Sequence, residues 1–241
     1  MTAKIRILER PSPNYGPRDG CAIDMLILHY TGMLTADDAL RRMCDSATEV
    51  SAHYMVDEDG SIFRLVEETR CAWHAGRGGW AGETDINSRS IGIEIVNPGH
   101  EFGYKVFPEQ QMASVELLCL DILARHPISS SRVLGHSDVA PDRKEDPGEL
   151  FDWARLASAG VGLWLEITEP PQGWETGSLM DLQAELKRFG YSVDISGVMD
   201  ASTRAAILAF QRHWLPENMT GARDPATSWR LSCLTRALAG V

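Results

Sequence analysis

The sequence has no apolar stretch approaching the roughly 18 to 20 residues that a membrane-spanning helix needs, and runs such as Met25-Leu26-Ile27-Leu28 are a strand's worth. No transmembrane segment is expected. Positive charge is scarce as well: 23 Lys and Arg stand against 34 Asp and Glu, a net charge of −11. Without clustered basic residues to neutralise phosphates, nucleic acid is not expected as a partner. The five cysteines are an odd number with no C-x-x-C pair, and Cys44 and Cys119 fall on apolar stripes, so buried free thiols are expected. Residues Met1-Thr2-Ala3-Lys4-Ile5-Arg6 carry charge but lead into no apolar core and no small-residue cleavage site. That pattern reads as lacking a secretory leader, hence as cytoplasmic for the chain as written. With 44 % hydrophobic and 24 % charged residues, the composition excludes a disordered, collagen-like or coiled-coil chain.

What is present divides near residue 165. Glu166 to Gly177 reads E-I-T-E-P-P-Q-G-W-E-T-G, whose prolines and glycines break any regular element. The reading is a domain over 1–165, a linker over 166–177 and a small domain over 178–241. The last segment holds 7 basic and 6 acidic residues, leaving 16 and 28 in the first 177, so the acidity belongs to the larger domain. Asp24 to Tyr30 reads as a buried strand ending in His29. Thr35-Ala-Asp-Asp38 then opens a helix as a capping box, with Ala39, Leu40, Met43 and Cys44 on its buried face. His53 to Asp57 and Ser61 to Val66 flank Asp59-Gly60 as a hairpin. Ser90 to Asn97 is another strand, Pro108 starts a long helix that His126-Pro127 ends, and Arg132 to Leu134 is a short strand running into Gly135-His136. Alternating strands and helices predict an α/β domain with a mixed central sheet flanked by helices. Beyond the linker three stripes, Leu179/Leu182/Leu186/Phe189, Ile207/Phe210/Trp214 and Trp229/Leu231/Leu234/Leu238, predict a small three-helix domain.

Of the seven histidines, two stand at strand ends, where functional sites are assembled. His29 closes an otherwise apolar strand. His136 follows another, and Asp146 comes ten residues later in a turn-rich loop. Two His and one carboxylate are a set that can hold a catalytic zinc with its fourth position left for water, although on residue types alone two structural histidines and a loop aspartate fit as well. Alternation along Ser90–Val96 puts Glu94 on one face with Ser90 and Gly92, between Ile93 and Ile95. A carboxylate there could move protons if it lies beside a metal.

The stretches L-H-Y-T-G (28–32), S-A-H-Y-M-V-D-E-D-G (51–60), A-W-H-A-G (72–76), S-I-G-I-E-I-V-N (90–97) and G-H-S-D-V-A-P-D-R-K-E-D-P-G (135–148) occur in that order. Together they resemble the zinc-dependent N-acetylmuramoyl-L-alanine amidases of the AmpD/AmiD type, a superfamily that also includes phage T7 lysozyme and the peptidoglycan recognition proteins. The resemblance covers roughly residues 20–160. It implies Zn2+ held by His29, His136 and Asp146, with Glu94 as the catalytic glutamate and Lys144 as the cation that stabilises the oxyanion. It further implies that His74 contacts substrate near the metal, that Trp73 forms a groove wall and that Asn97 hydrogen-bonds the stem peptide. Ala52 stands where the T7 lysozyme and recognition-protein branches carry a catalytic Tyr, which leaves the acid/base work to Glu94. Tyr54 and His53 are read as packing residues and Arg143 as a surface residue.

The segment from Leu179 to Gln211 resembles the helical peptidoglycan-binding domain found beside many wall hydrolases, with Gly190 ending the first helix, Gly197 permitting the turn and Asp200 or Ser202 capping the second. A helix-turn-helix DNA module could share the pattern, but its balance of +1 gives it little to hold phosphates with. The expected activity is hydrolysis of the amide between N-acetylmuramic acid and L-alanine, with peptidoglycan or a muropeptide as partner. The alternative is a recognition protein that binds muropeptides without cleaving them, and retention of all three ligand positions with Glu94 and Lys144 favours the enzyme. A wall-binding domain argues for the periplasm or cell envelope, which a removed leader would reconcile with the N-terminus. The small domain is expected to fold by itself and act as a tether; the competing expectation is that its helices pack on the amidase groove and form part of its wall.

Overall fold

The structure, a computed structural model, describes residues 6–166 and 169–240. The leader reading at residues 1–5, and residues 167–168 of the linker, lie outside the described residues. In chain order the strands are β1 (Ile7–Glu9), β2 (Tyr15–Gly16), β3 (Met25–Tyr30), β4 (Tyr54–Val56), β5 (Ile62–Arg64), β6 (Cys71–Ala72), β7 (Ser90–Ile95) and β8 (Val133–Gly135). The helices are α1 (Ala36–Cys44), α2 (Ile86–Arg89), α3 (Gly99–Phe102), α4 (Glu109–Arg125), α5 (His136–Val139), α6 (Trp153–Ser158), α7 (Leu179–Phe189), α8 (Ala201–Trp214) and α9 (Pro225–Ala239).

Six strands form one mixed sheet in the order β1-β5-β4-β7-β3-β8. β7 runs parallel to β3 on one side and to β4 on the other, β8 runs parallel to β3, and only the β4–β5 pairing is antiparallel. The expected mixed sheet with flanking helices is therefore observed. The edge strand β1 and the two-stranded β2–β6 pair were not expected, because two or three residues carry no readable alternation. The Asp59-Gly60 pair predicts a tight turn with positive φ at both residues, but Gly60 alone of the two adopts it, at φ 83°. Gly60 N–H donates to Asp57 O, so a turn is followed by one left-handed residue.

The alternation of strand side chains gives the sheet two different faces. On one face Leu26, Leu28, Ile91, Ile93 and Ile95 pack under Met112, Val115, Leu118, Cys119 and Ile122 of α4. On the other face Met25, Ile27 and Leu134 join Trp80, Ile86 and Val139 in a cluster with Leu186, Phe189, Phe210 and Trp214 of the C-terminal helices. His29 and Glu94 point to this second face. The C-terminal helices thus share a core with the sheet.

Of the two caps that the sequence offers for α8, Asp200 and not Ser202 is used; Ser178 and Asp181 form a reciprocal capping box at α7 that the sequence reading did not single out. Gly190 ends α7 at φ 144°, and a Cβ there would lie 2.4 Å from the Trp80 ring, so glycine also admits the indole of the larger domain. The third stripe needs correcting. α9 starts earlier, at Pro225 behind an Asp224 cap, and buries Thr227, Leu231, Leu234 and Thr235, while Leu238 is exposed. The five cysteines are unpaired, as expected, with Cys71 and Cys119 buried and Cys21, Cys44 and Cys233 half-buried. Among the described residues no helix is long and apolar enough to cross a membrane.

Fully burying side chains as large as Phe210 or Leu186 contributes about 1.5–3 kcal/mol each, so a cluster shared by sheet and helices couples their unfolding. Differential scanning calorimetry is expected to give one cooperative transition for the whole chain. Two separated transitions would mean that the C-terminal helices are an independent folding unit after all.

Candidate metal centre

The carboxyl ends of β3, β7 and β8 lie side by side, and parallel strands collect functional side chains at that edge. β3 delivers His29, which sits in register with Glu94 of β7. β8 ends at Gly135, so His136 begins α5 directly beyond the sheet. The loop after α5 returns Asp146 to the same point. His29, His136 and Asp146 are all buried, at 1, 3 and 6 % exposure. His29 Nδ1, His136 Nδ1 and Asp146 Oδ2 lie 3.0 Å from one another.

Hydrogen bonds on the outer sides of the two imidazoles fix which nitrogens carry protons. Ser90 Oγ–H donates to Ile86 O at 2.6 Å, since a carbonyl only accepts. Ser90 Oγ then accepts from His74 Nε2–H at 3.1 Å, and His74 Nδ1 accepts from His29 Nε2–H at 3.0 Å. His29 Nδ1 is left as a bare lone pair. His136 reaches the same state more simply, because its Nε2–H donates to Ala75 O at 2.9 Å. Burial first, and then His136 beside it, lower the His29 pKa to about 4, so the ring is neutral near pH 7.

Three acceptors facing one another are satisfied together by a cation. Tetrahedral zinc with bonds of about 2.0–2.1 Å sets its donor atoms about 3.3 Å apart, so the triangle needs to open by only a few tenths of an ångström. The donor set fits a metal ion, and outward hydrogen bonds of this kind are what orient metal-binding imidazoles.

A cavity of about 580 Å³ opens over this triangle, within the size range of ligand sites, and Glu94, Lys144, Trp73 and His74 line it. Glu94 Oε2 is buried without a hydrogen-bond partner. Burial and the neighbouring Asp146 push its carboxyl well above the ordinary value, while Lys144 pulls the other way. Lys144 is thus close enough for its charge to act on both Glu94 and His29.

The remaining expected site residues fare differently. Trp73 forms cavity wall. His74 lines the cavity too, with both of its ring nitrogens engaged by His29 and Ser90. Asn97 is wholly buried, and its side chain donates to Lys105 O and accepts from Gly99 N–H. It shapes the turn after β7 and is not among the residues that line the cavity. His53 is buried and accepts from Gly92 N–H, and Tyr54 donates to Glu68. Arg143 is exposed as expected, yet its guanidinium holds Ala75 O, the carbonyl that orients His136. A cation next to Lys144 gave no sign of that role in the sequence.

Residues 19–149 match the N-acetylmuramoyl-L-alanine amidase family, and residues 176–230 match a peptidoglycan binding domain. The chain is 36 % identical to N-acetylmuramoyl-L-alanine amidase AmiD of Escherichia coli K12, over 85 % of this chain and 79 % of that one. It is 41 % identical to the 1,6-anhydro-N-acetylmuramyl-L-alanine amidase AmpD of the same organism, over 44 % of this chain and 56 % of that one. The solved complex of E. coli AmiD with the substrate anhydro-N-acetylmuramic acid-L-Ala-D-gamma-Glu-L-Lys superposes with a TM-score of 0.76 at 31 % identity, covering 95 and 93 % of the two chains. Pseudomonas aeruginosa AmpDh3 in complex with anhydromuramic pentapeptide gives 0.79 at 32 %, covering 94 and 95 %.

Gly92 on β7 is what lets the His74 ring lie across the strand, since a Cβ there would fall 2.5 Å from that ring. Gly92→Ala is expected to cost about 1–3 kcal/mol of stability and to weaken metal binding by displacing the ring behind His29. Urea denaturation and metal titration check both. Unchanged values would mean that His74 does not constrain His29.

Proposed function

The chain belongs to the N-acetylmuramoyl-L-alanine amidase family, and on that premise we propose that it hydrolyses the amide between the lactyl group of N-acetylmuramic acid and L-alanine in peptidoglycan or muropeptides. The observation that carries this reading is the triangle of bare acceptors, His29 Nδ1, His136 Nδ1 and Asp146 Oδ2, at the floor of a substrate-sized cavity. The family is generally zinc-dependent, and these three residues would hold the ion. Zinc in that position supplies a Lewis acid for the scissile carbonyl and lowers the pKa of water toward about 7.

The chain's own groups do the rest. Glu94, partly desolvated and unpaired at Oε2, takes a proton from the attacking water as the new C–O bond forms. It returns that proton to the L-alanine nitrogen as the C–N bond breaks, so that the amine leaves neutral. A raised carboxyl pKa matches that donor and acceptor duty better than an ordinary one. Lys144 places an ammonium by the carbonyl oxygen, where negative charge develops. Trp73 walls the cavity beside the reacting centre. The C-terminal helices supply a peptidoglycan-binding surface. Mass spectrometry of a soluble muropeptide after incubation tests the reading: a free lactyl-sugar and a peptide beginning with L-alanine are expected, and cleavage at any other bond contradicts it.

Metal analysis is expected to find one zinc per chain, with His29→Ala, His136→Ala and Asp146→Ala each losing it. Full metal content in any of these variants would remove that residue from the ligand set.

Glu94→Gln and Lys144→Ala are expected to keep zinc while turnover falls about 100-fold or more. Wild-type turnover in either variant would cancel its assigned role. Glu94 also has a signature in stability. Its folded-state pKa lies well above the unfolded value of 4.5, so folding disfavours the ionised form. That cost is absent below about pH 4.5, grows as pH rises and is complete above the folded-state pKa. Chelator-treated Glu94→Gln is therefore expected to melt higher than wild type at pH 8 and at the same temperature at pH 4. An equal Tm at both pH values would show that Glu94 is not desolvated.

A further inference from the structure

Two residues after His136, Asp138 carries a carboxylate with 0 % exposure. Its Oδ2 accepts from Gly135 N–H at 2.8 Å and from His213 Nδ1–H at 2.7 Å, and its Oδ1 accepts from the Tyr191 hydroxyl at 2.7 Å. The first donor belongs to the turn that presents His136. The other two come from the C-terminal helical region: Tyr191 follows α7, and His213 lies on α8. A buried carboxylate is tolerated only when donors satisfy it, so this turn is complete only with the C-terminal helices in place. His213 is itself held by Trp153, stacked at 3.7 Å between ring centroids. Beside it Arg212, 7 % exposed, reaches Glu145, the residue between Lys144 and Asp146, at 3.3 Å. The helices therefore brace both segments that carry site residues, the β8–α5 turn and the 144–146 loop.

We propose that the C-terminal helices are a positioning element of the metal centre, in which Tyr191 and His213 clamp Asp138 and thereby hold the turn bearing His136. The clamp goes beyond a wall-binding role, because a tether alters encounter with insoluble substrate whereas this contact alters the site for every substrate. It rests on the reading of His136 as a metal ligand. Tyr191, His213 and Asp138 are positioning residues, none of which lines the cavity.

The test uses the full chain. Tyr191→Phe removes one hydroxyl and keeps the ring packed on Trp80, so the fold is retained. Zinc affinity by chelator competition is expected to weaken by about 10-fold, the low end of what lost supporting hydrogen bonds cost a metal site. Turnover of soluble muropeptide should fall with KM unchanged. Asp138→Asn should weaken zinc binding at least as much, and adding Tyr191→Phe to it should do little more, since the two act through one contact. Val198→Ser, at a side chain 60 % exposed on the same helical region, should match wild type in both assays. If Tyr191→Phe lowers Tm but leaves zinc affinity and soluble turnover at wild-type values, the contact is merely structural and the proposal is overturned. If wild type itself binds no zinc, the metal reading falls and the clamp with it; equal affinity in wild type and variant overturns the clamp alone.

Discussion

Nδ1 of His29, Nδ1 of His136 and Oδ2 of Asp146 present three lone pairs to one another at 3.0 Å, a repulsion that a positive ion relieves. Most of the surrounding structure can be understood as what it takes to keep them there. Each imidazole is pinned from behind by a hydrogen bond ending on an obligate acceptor, Ala75 O for His136 and, through His74 and Ser90, Ile86 O for His29. Gly92 makes room for the His74 ring in that chain. Arg143 and the Asp138 contacts then fix the two backbone segments that matter, one around Ala75 and one around Gly135.

The second constraint is that the groups able to do chemistry are kept unsatisfied. Glu94 faces the cavity with a buried, unpaired oxygen and a carboxyl that resists ionisation. A folded chain gains nothing from that arrangement, and a neutral residue there would pack at lower cost. Strand alternation makes it possible locally: Ile91, Ile93 and Ile95 anchor β7 in the core on one face while Ser90, Gly92 and Glu94 are free to face the site on the other. Local instability at one side chain is offset by a strand that is buried along its length.

Much of this was readable in the residues. The apolar strand ending in His29, the alternation that exposes Glu94, the Thr35 cap of α1, the Gly190 stop of α7 and the Asp200 cap of α8 all follow from spacing and side-chain type, and the structure keeps them. What spacing cannot supply is contact between distant segments. Asn97, beside a conspicuous strand, gives no sign in the sequence that its amide is bonded to Lys105 O and Gly99 N–H. Arg143 reads as surface until its guanidinium meets Ala75 O. The stripes on α7, α8 and α9 look sufficient for a self-contained bundle, yet residues of the larger domain such as Trp80, Ile86, Val139 and Asp138 complete their apolar and polar surface. Even Gly190, expected as a helix stop, owes its place equally to the Trp80 ring packed against it.

The acceptor triangle at the carboxyl edge of the sheet and the helices beyond residue 177 are thus joined by contacts through Asp138 and Glu145. The account stands or falls on what the three acceptors bind. X-ray absorption at the zinc edge of the loaded full-length protein examines that directly. The account predicts a first shell of nitrogen and oxygen only, at about 2.0–2.1 Å, with the multiple-scattering pattern of two imidazoles. A sulfur shell near 2.3 Å, or a single imidazole, would contradict it.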